Sequence, residues 1–168
     1  EAQGKFTLIL TADDSGPLMT IDDMIGLMEQ GCDIVNCTRY AYGGRVYGGS
    51  PIARQLSRIA NKLFFVCGPG TLTDYTMGVK MLRTSKFKNM EFESRKGWSV
   101  AFEIAIKSHL HNFKLGEIPI ISINRLYGGE SSFSLKSWML EYVQWFVFGV
   151  QELNRFKKKK MNVIRLHH

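Results

Sequence analysis

The apolar positions of the chain alternate between short continuous runs and stripes of helical period. Phe6-Thr7-Leu8-Ile9-Leu10 is an apolar run that leads through Thr11-Ala12 to Asp13-Asp14-Ser15 and then to Gly16-Pro17. A run of this length closed by a turn predicts a buried strand of the kind found in parallel sheets. Thr20 has the form of a helix cap, with Asp23 in the capping-box position. Ile21, Met24, Ile25, Leu27 and Met28 then form one helical face, which Gly31 ends. Asp33 to Thr38 predicts the next strand, completing a strand-helix-strand unit with Arg39 at its carboxyl end.

The segment Tyr40–Ser50 carries two glycine pairs, Gly43-Gly44 and Gly48-Gly49, and is expected to be a mobile, functional loop. Pro51 suits the first turn of a helix whose apolar stripe is Ile52, Leu56, Ile59, Ala60 and Leu63. Arg54, Arg58 and Lys62 recur at spacing four on another face, and Gly68-Pro69-Gly70 stops the helix. Asp74 to Leu82 reads as a turn leading into a strand. Trp98 to Phe113 reads as a helix with Val100, Ile104 and Leu110 inward. Ile118 to Asn124 reads as a strand whose early proline suits a sheet edge. A second glycine-rich loop spans Leu126 to Ser132. A long aromatic helix, Leu135 to Phe156, follows and ends in Lys157-Lys158-Lys159-Lys160.

Composition narrows the class. The 168 residues, 45% of them hydrophobic, suffice for one domain with a proper core. A net charge of +7 favours anionic partners: nucleic acid, phosphorylated ligands or an acidic membrane face. No aromatic-basic platform or known motif supports nucleic acid, which is set aside. The three cysteines, Cys32, Cys37 and Cys67, lack zinc spacing and read as reduced thiols of a cytosolic protein. No signal peptide and no spanning helix are read from the chain.

Four constellations could carry chemistry. Asp13 and Asp14, at a strand end, could hold a divalent cation bridging to phosphate, or could simply form a polar turn. Arg39, Arg45, Arg54 and Arg58 surround one glycine-rich loop and could close over a phosphate, or form a solvated basic face. Asp74 and Glu103 could each act as a base or serve as a structural carboxylate. In the last helix, Trp138, Tyr142 and Trp145 could anchor in a membrane interface with help from the tetralysine, or pack on the core. His109 and His111 are expected at the surface; His167 and His168 could belong to a tail or tag.

In their order, these segments resemble family 2 glycosyltransferases, in particular the dolichyl- or polyprenyl-phosphate mannosyltransferase-like branch. The matching stretches are Leu10–Ser15, Asn36–Tyr40 with Gly43-Gly44, Arg54–Asn61, Asp74–Lys80, Trp98–Glu103, Glu117–Ile120, and Asn124-Arg125 through Gly128 to Phe133. They cover nearly the whole chain up to the last helix.

The resemblance implies an α/β fold that is the C-terminal part of a GT-A domain, with a mixed sheet and helices on its faces. Residues 1–133 would belong to that domain, and residues 134–168 would form an amphipathic helix with a basic tail. It implies a divalent metal, Mg²⁺ or Mn²⁺, at Asp13 and Asp14. The family's Asp-x-Asp motif falls on Thr11-Ala12-Asp13, so a neutral hydroxyl stands in place of the first carboxylate and weakens the site. Arg39, Arg45, Arg54, Ser57 and Arg58 would hold an acceptor phosphate or the donor diphosphate. Arg125 would open a lid reaching to Ser132. Asp74 or Glu103 would be the base if the acceptor were a sugar hydroxyl.

The implied reaction is inverting transfer of a hexose from a nucleotide sugar to a polyprenyl phosphate. It would occur at the cytoplasmic face of a membrane during cell-envelope biosynthesis. The family places its nucleotide-recognising strands ahead of the Asp-x-Asp strand. The chain therefore reads as an incomplete piece, expected to be inactive alone and to self-associate through an open sheet edge into a homo-oligomer. The rival readings are transfer to a saccharide hydroxyl and a non-catalytic module that binds a membrane or a partner.

Overall fold

The computed structural model describes residues 2–11, 16–95, 97–124, 135–155 and 163–166. Its main sheet has five strands in the order β1-β4-β2-β5-β7. These are β1 (Phe6–Ile9), β2 (Ile34–Thr38), β4 (Lys80–Arg83), β5 (Leu115–Pro119) and β7 (Val163–Arg165). β2 runs parallel to β5, and β5 to β7, whereas β4 runs antiparallel to both its neighbours, β1 and β2. The chain is thus α/β with a mixed sheet. The carboxyl ends of β1, β2 and β5 emerge at one edge.

The expectation of a buried, parallel first strand is corrected. β1 lies at the margin of the sheet, all four residues are half-buried, and its one neighbour is the antiparallel β4. Its apolar run is still used on both faces, Phe6 and Leu8 toward one cluster and Ile9 toward the other. No strand covers its outer side among the described residues, which accounts for the partial exposure.

Alternation along the strands builds a core on each face of the sheet. Val35 and Met81 face one way, with Met24, Leu27 and Met28 of α1 (Ile21–Glu29). Ile34 and Leu82 face the other way, toward α4 (Ser99–Leu110) and α5 (Leu135–Arg155). A 3-10 turn, Gly16–Thr20, precedes α1, and Thr20 makes no side-chain cap to the helix, so the expected capping box does not form. α2 (Pro51–Cys67) does have its expected start: Ser50 accepts from the Ala53 amide at 3.4 Å, and Pro51 occupies the first turn.

Two further expectations change. The segment read as a glycine-rich loop contains a strand, β3 (Arg45–Gly48), paired in parallel with β6 (Ile121–Asn124) in a second small sheet. The single strand expected over 118–124 is split between the two sheets. Ile120 is the junction: its amide donates to Thr38, and its carbonyl accepts from Arg45. Pro119 sits at the end of β5, opposite Thr38 and beyond the reach of β7, where a missing N–H costs no ladder bond. A short helix, α3 (Thr84–Phe87), follows β4.

The last helix is not a separate unit. Trp145 and Leu153 of α5 enter the core, Tyr142 packs against it, and β7 adds to the main sheet. Tyr142 and Trp145 of the aromatic stripe therefore face inward. The side chain of Trp138 and the tetralysine 157–160 lie outside the described residues. Among the described residues, no helix is long and apolar enough to cross a membrane.

Candidate anion-binding cleft

The carboxyl end of β2 delivers Arg39 to the edge where β1 and β5 also end. Its guanidinium grips Asp74 with two bonds, Nε to Oδ2 at 2.7 Å and Nη2 to Oδ1 at 3.0 Å. The Arg39 amide also donates to Oδ2, and the Thr76 amide and hydroxyl donate to Oδ1. Asp74 is completely buried. Burial alone would raise its pKa, but the Arg39 charge and these hydrogen bonds outweigh it and hold the carboxyl below its ordinary range. An ionised carboxylate whose two oxygens already take five hydrogen bonds is poorly placed to accept a proton. The geometry instead makes Asp74 the residue that orients Arg39.

The rest of the frame comes from α2. Arg39 Nη2 also donates to Thr76 Oγ1 at 3.0 Å and to Ser57 Oγ at 3.4 Å. Tyr40 donates its hydroxyl to Ser57, and its ring lies 5.0 Å from the Arg39 guanidinium. Asn61 donates to Thr76 and accepts from the Tyr75 amide at 2.8 Å. These contacts set the direction in which α2 faces. Its polar residues Ser57 and Asn61 face the protein, and its apolar stripe is exposed.

Arg39, Arg45, Arg54 and Arg58 line one cleft of about 460 Å³, with Tyr40 and Tyr47 in its wall. This volume falls in the range of small-ligand sites. Only Arg39 has an acidic counterpart among the described residues. Arg45, Arg54 and Arg58 have no acidic partner among the described residues, and their positive charge suits bidentate binding of phosphate oxygens.

Gly44 sets the distance between the cleft loop and β2. A β-carbon there would lie 2.7 Å from the Arg39 carbonyl carbon and 2.9 Å from the Thr38 oxygen. Both are backbone atoms that cannot swing aside. Gly44→Ala should therefore displace the loop that carries Arg45, lowering stability by about 1–3 kcal/mol and weakening anion binding. Urea unfolding and phosphate titration of the variant check this; wild-type values in both would refute it.

Glu103 is elsewhere. On α4 it accepts from the amides of Glu93 and Ser94, both at 2.8 Å, and pairs with Lys107 at 2.7 Å. Burial would raise its carboxyl, but these partners outweigh that and hold it low. It pins the segment before α4 and does not line the cleft. Asp13, Asp14 and Arg125 lie outside the described residues. Among the described residues, no three His, Cys, Asp or Glu side chains converge to hold a metal. The Thr11 hydroxyl is buried with no hydrogen-bond partner among them, which fits a neutral oxygen ligand.

Several functional candidates escaped the sequence reading. Lys80 is completely buried beneath the site and donates to Asn36, which donates in turn to the Asp74 carbonyl at 2.8 Å. Burial pushes its ammonium down to about 8, against the pull of Asp74. Glu117 on β5 accepts from the Thr73 amide and hydroxyl and from Arg165 of β7, tying the segment before Asp74 to the sheet. A lysine set between Val79 and Met81-Leu82 is the visible signal for Lys80; nothing in the sequence marked the Thr73 and Arg165 pairings. His109, expected at the surface, is buried beside Thr71 and Tyr75. Burial lowers its pKa to about 4, so it is neutral at ordinary pH. No protein-family model matches the chain.

Proposed function

We propose that the cleft holds the phosphate of a polyprenyl-phosphate acceptor. In this reading the chain is the acceptor-binding part of a GT-A-like, family 2-type glycosyltransferase that moves a hexose from a nucleotide sugar with inversion. The observation that carries the reading is the combination of three arginines around one cleft, without acidic partners among the described residues, with a fourth, Arg39, locked in place by a buried carboxylate.

A phosphate acceptor is already ionised near neutral pH and needs no strong base, only positioning and charge neutralisation. That matches a site whose Asp74 carboxylate, which lies against Arg39, is committed to an ion pair. It also favours a phosphate acceptor over a sugar hydroxyl, for which Asp74 or Glu103 would have to be free. The placement of the cleft beyond the carboxyl ends of parallel strands follows the general rule for ligand sites in α/β sheets. A divalent cation would be held by Asp13 and Asp14 with Thr11 contributing a neutral oxygen; when bound, it would neutralise the donor diphosphate. The acceptor class implies work at an anionic membrane face.

Calorimetric titration with a short-chain prenyl phosphate tests the proposal. The phosphate should bind, and the corresponding prenyl alcohol should not. Arg54→Ala and Arg58→Ala should each weaken binding by about tenfold, the loss expected for a charge-assisted hydrogen bond. Equal binding of alcohol and phosphate would rule the proposal out.

A further inference from the structure

The outer face of α2 carries an apolar stripe that the fold leaves uncovered. Ile52, Leu56, Ile59, Leu63 and Val66 recur at spacings of three and four and are 72%, 44%, 54%, 50% and 70% exposed. In an ordinary surface helix such a stripe faces the core. Here the inward side is taken by Ser57, Asn61 and Phe64, which serve the Arg39 frame and the core. α5 packs on α2 through Phe64, against Phe146 and Gly149, and it also leaves Leu140, Val143 and Val147 exposed. Neighbouring exposed apolar stripes of this size mark an interaction surface.

We infer that α2 is the element by which the chain docks on an anionic lipid bilayer, lying in the interface with this stripe inserted. The inference rests on the lipid-phosphate reading for its purpose, but it names a surface which that reading does not contain. Charge decides the occupant. α2 bears Arg54, Arg58 and Lys62 and no carboxylate. On a helical projection, Lys62 and Arg58 flank the stripe on one side. A second copy seated on α2 would bring these cations against their own equivalents, whereas acidic headgroups complement them. An apolar stripe bordered by basic residues is the pattern of an interfacial helix. At 17 residues, α2 offers roughly 25 Å of length to the surface. Arg54 and Arg58 also line the cleft, so docking on α2 would hold the cleft mouth beside the headgroups.

Flotation of the 168-residue chain with vesicles tests this, comparing pure phosphatidylcholine with phosphatidylcholine containing phosphatidylglycerol. The chain should float with the anionic vesicles and much less with the neutral ones. Ile59→Asp/Leu63→Asp should reduce the bound fraction about tenfold or more, and Lys62→Glu should reduce it less. Because both stripe residues are exposed, the double variant should keep its circular dichroism and its affinity for short-chain prenyl phosphate. Loss of phosphate binding in the wild type with flotation intact would strike the functional reading alone. Wild-type protein that stays with the unbound fraction, or a stripe variant that floats as well as wild type, overturns the inference. So does a dimer in sedimentation velocity that Ile59→Asp disperses in the absence of lipid.

Discussion

Replacing Asp74 with alanine is expected to destabilise the protein by about 3–5 kcal/mol, the range for stripping one member from a buried ion pair. The Arg39 guanidinium would be left largely buried with its bidentate acceptor gone, and the Thr76 hydroxyl and amide would lose theirs. Urea unfolding should show a large drop in midpoint at nearly unchanged slope. Prenyl-phosphate binding should fall with it even where the variant remains folded, because Arg39 is aimed by Asp74. Removing both charges with apolar residues of similar volume should recover part of the stability and none of the binding. That contrast separates the pair's role in specifying the site from its role in holding the fold. A destabilisation below about 1 kcal/mol for Asp74→Ala would show that Arg39 finds another acceptor or water, and the anchoring argument would fail.

The same ion pair fixes the acid limb. The folded-state pKa of Asp74 is lowered, because its partners outweigh burial. The unfolded chain therefore binds its proton first as pH falls. The stabilisation is complete above the unfolded value, near 4, and is lost as pH drops through the folded one. Asp74→Ala should unfold with a shallower dependence on pH below 4 than wild type.

The sequence made local features legible and long-range ones not. The alternation of apolar runs and helical stripes located β1, α1, β2, α2, β4, α4 and α5, because each is set by nearest neighbours along the chain. Periodicity shows that α2 has an apolar stripe, but not which way the stripe faces. That was decided by Ser57 and Asn61 meeting Thr76 and Tyr75, residues more than a dozen positions away. β3 is a four-residue strand bounded by glycine pairs, and its partner β6 lies far along the chain, so turn chemistry masked it. Arg39, Arg45, Arg54 and Arg58, grouped in the sequence by their proximity to one loop, line one cleft. The link from Arg39 to Asp74, 35 residues on, needed the fold. His109, like His111, has no partner at ligand spacing and reads as surface, yet it is buried because α4 is covered on nearly every side.

Lys80 supplies the second large effect, and its sign is opposite to that of Asp74. The ammonium is completely buried, and burial pushes its folded-state pKa to about 8, well below the value of the unfolded chain. Below pH 8 the amine is charged in both states, and the fold bears the net cost of holding that charge, burial less the pull of Asp74, roughly 3 kcal/mol. Between pH 8 and about 10.5 the unfolded chain binds the proton and the folded protein does not, so stability rises with pH. Wild type should gain about 2 kcal/mol from this group between pH 7.5 and 9.5. Lys80→Met should lack that gain. Asn36 would then lose the ammonium it accepts from, which shifts the variant's stability by an amount independent of pH. Other groups act in the opposite direction near this window. Burial raises Cys32, Tyr75 and Tyr142, so each lowers stability as pH climbs past its unfolded value. Their effects are common to both proteins and cancel in the difference. The test is the difference in unfolding free energy between wild type and Lys80→Met at several pH values from 7.5 to 9.5. A difference that swings toward wild type with rising pH places the titrating charge at Lys80. Parallel curves across that range would mean that Lys80 keeps its charge in the fold, held by Asp74 and Asn36 strongly enough to cancel its burial.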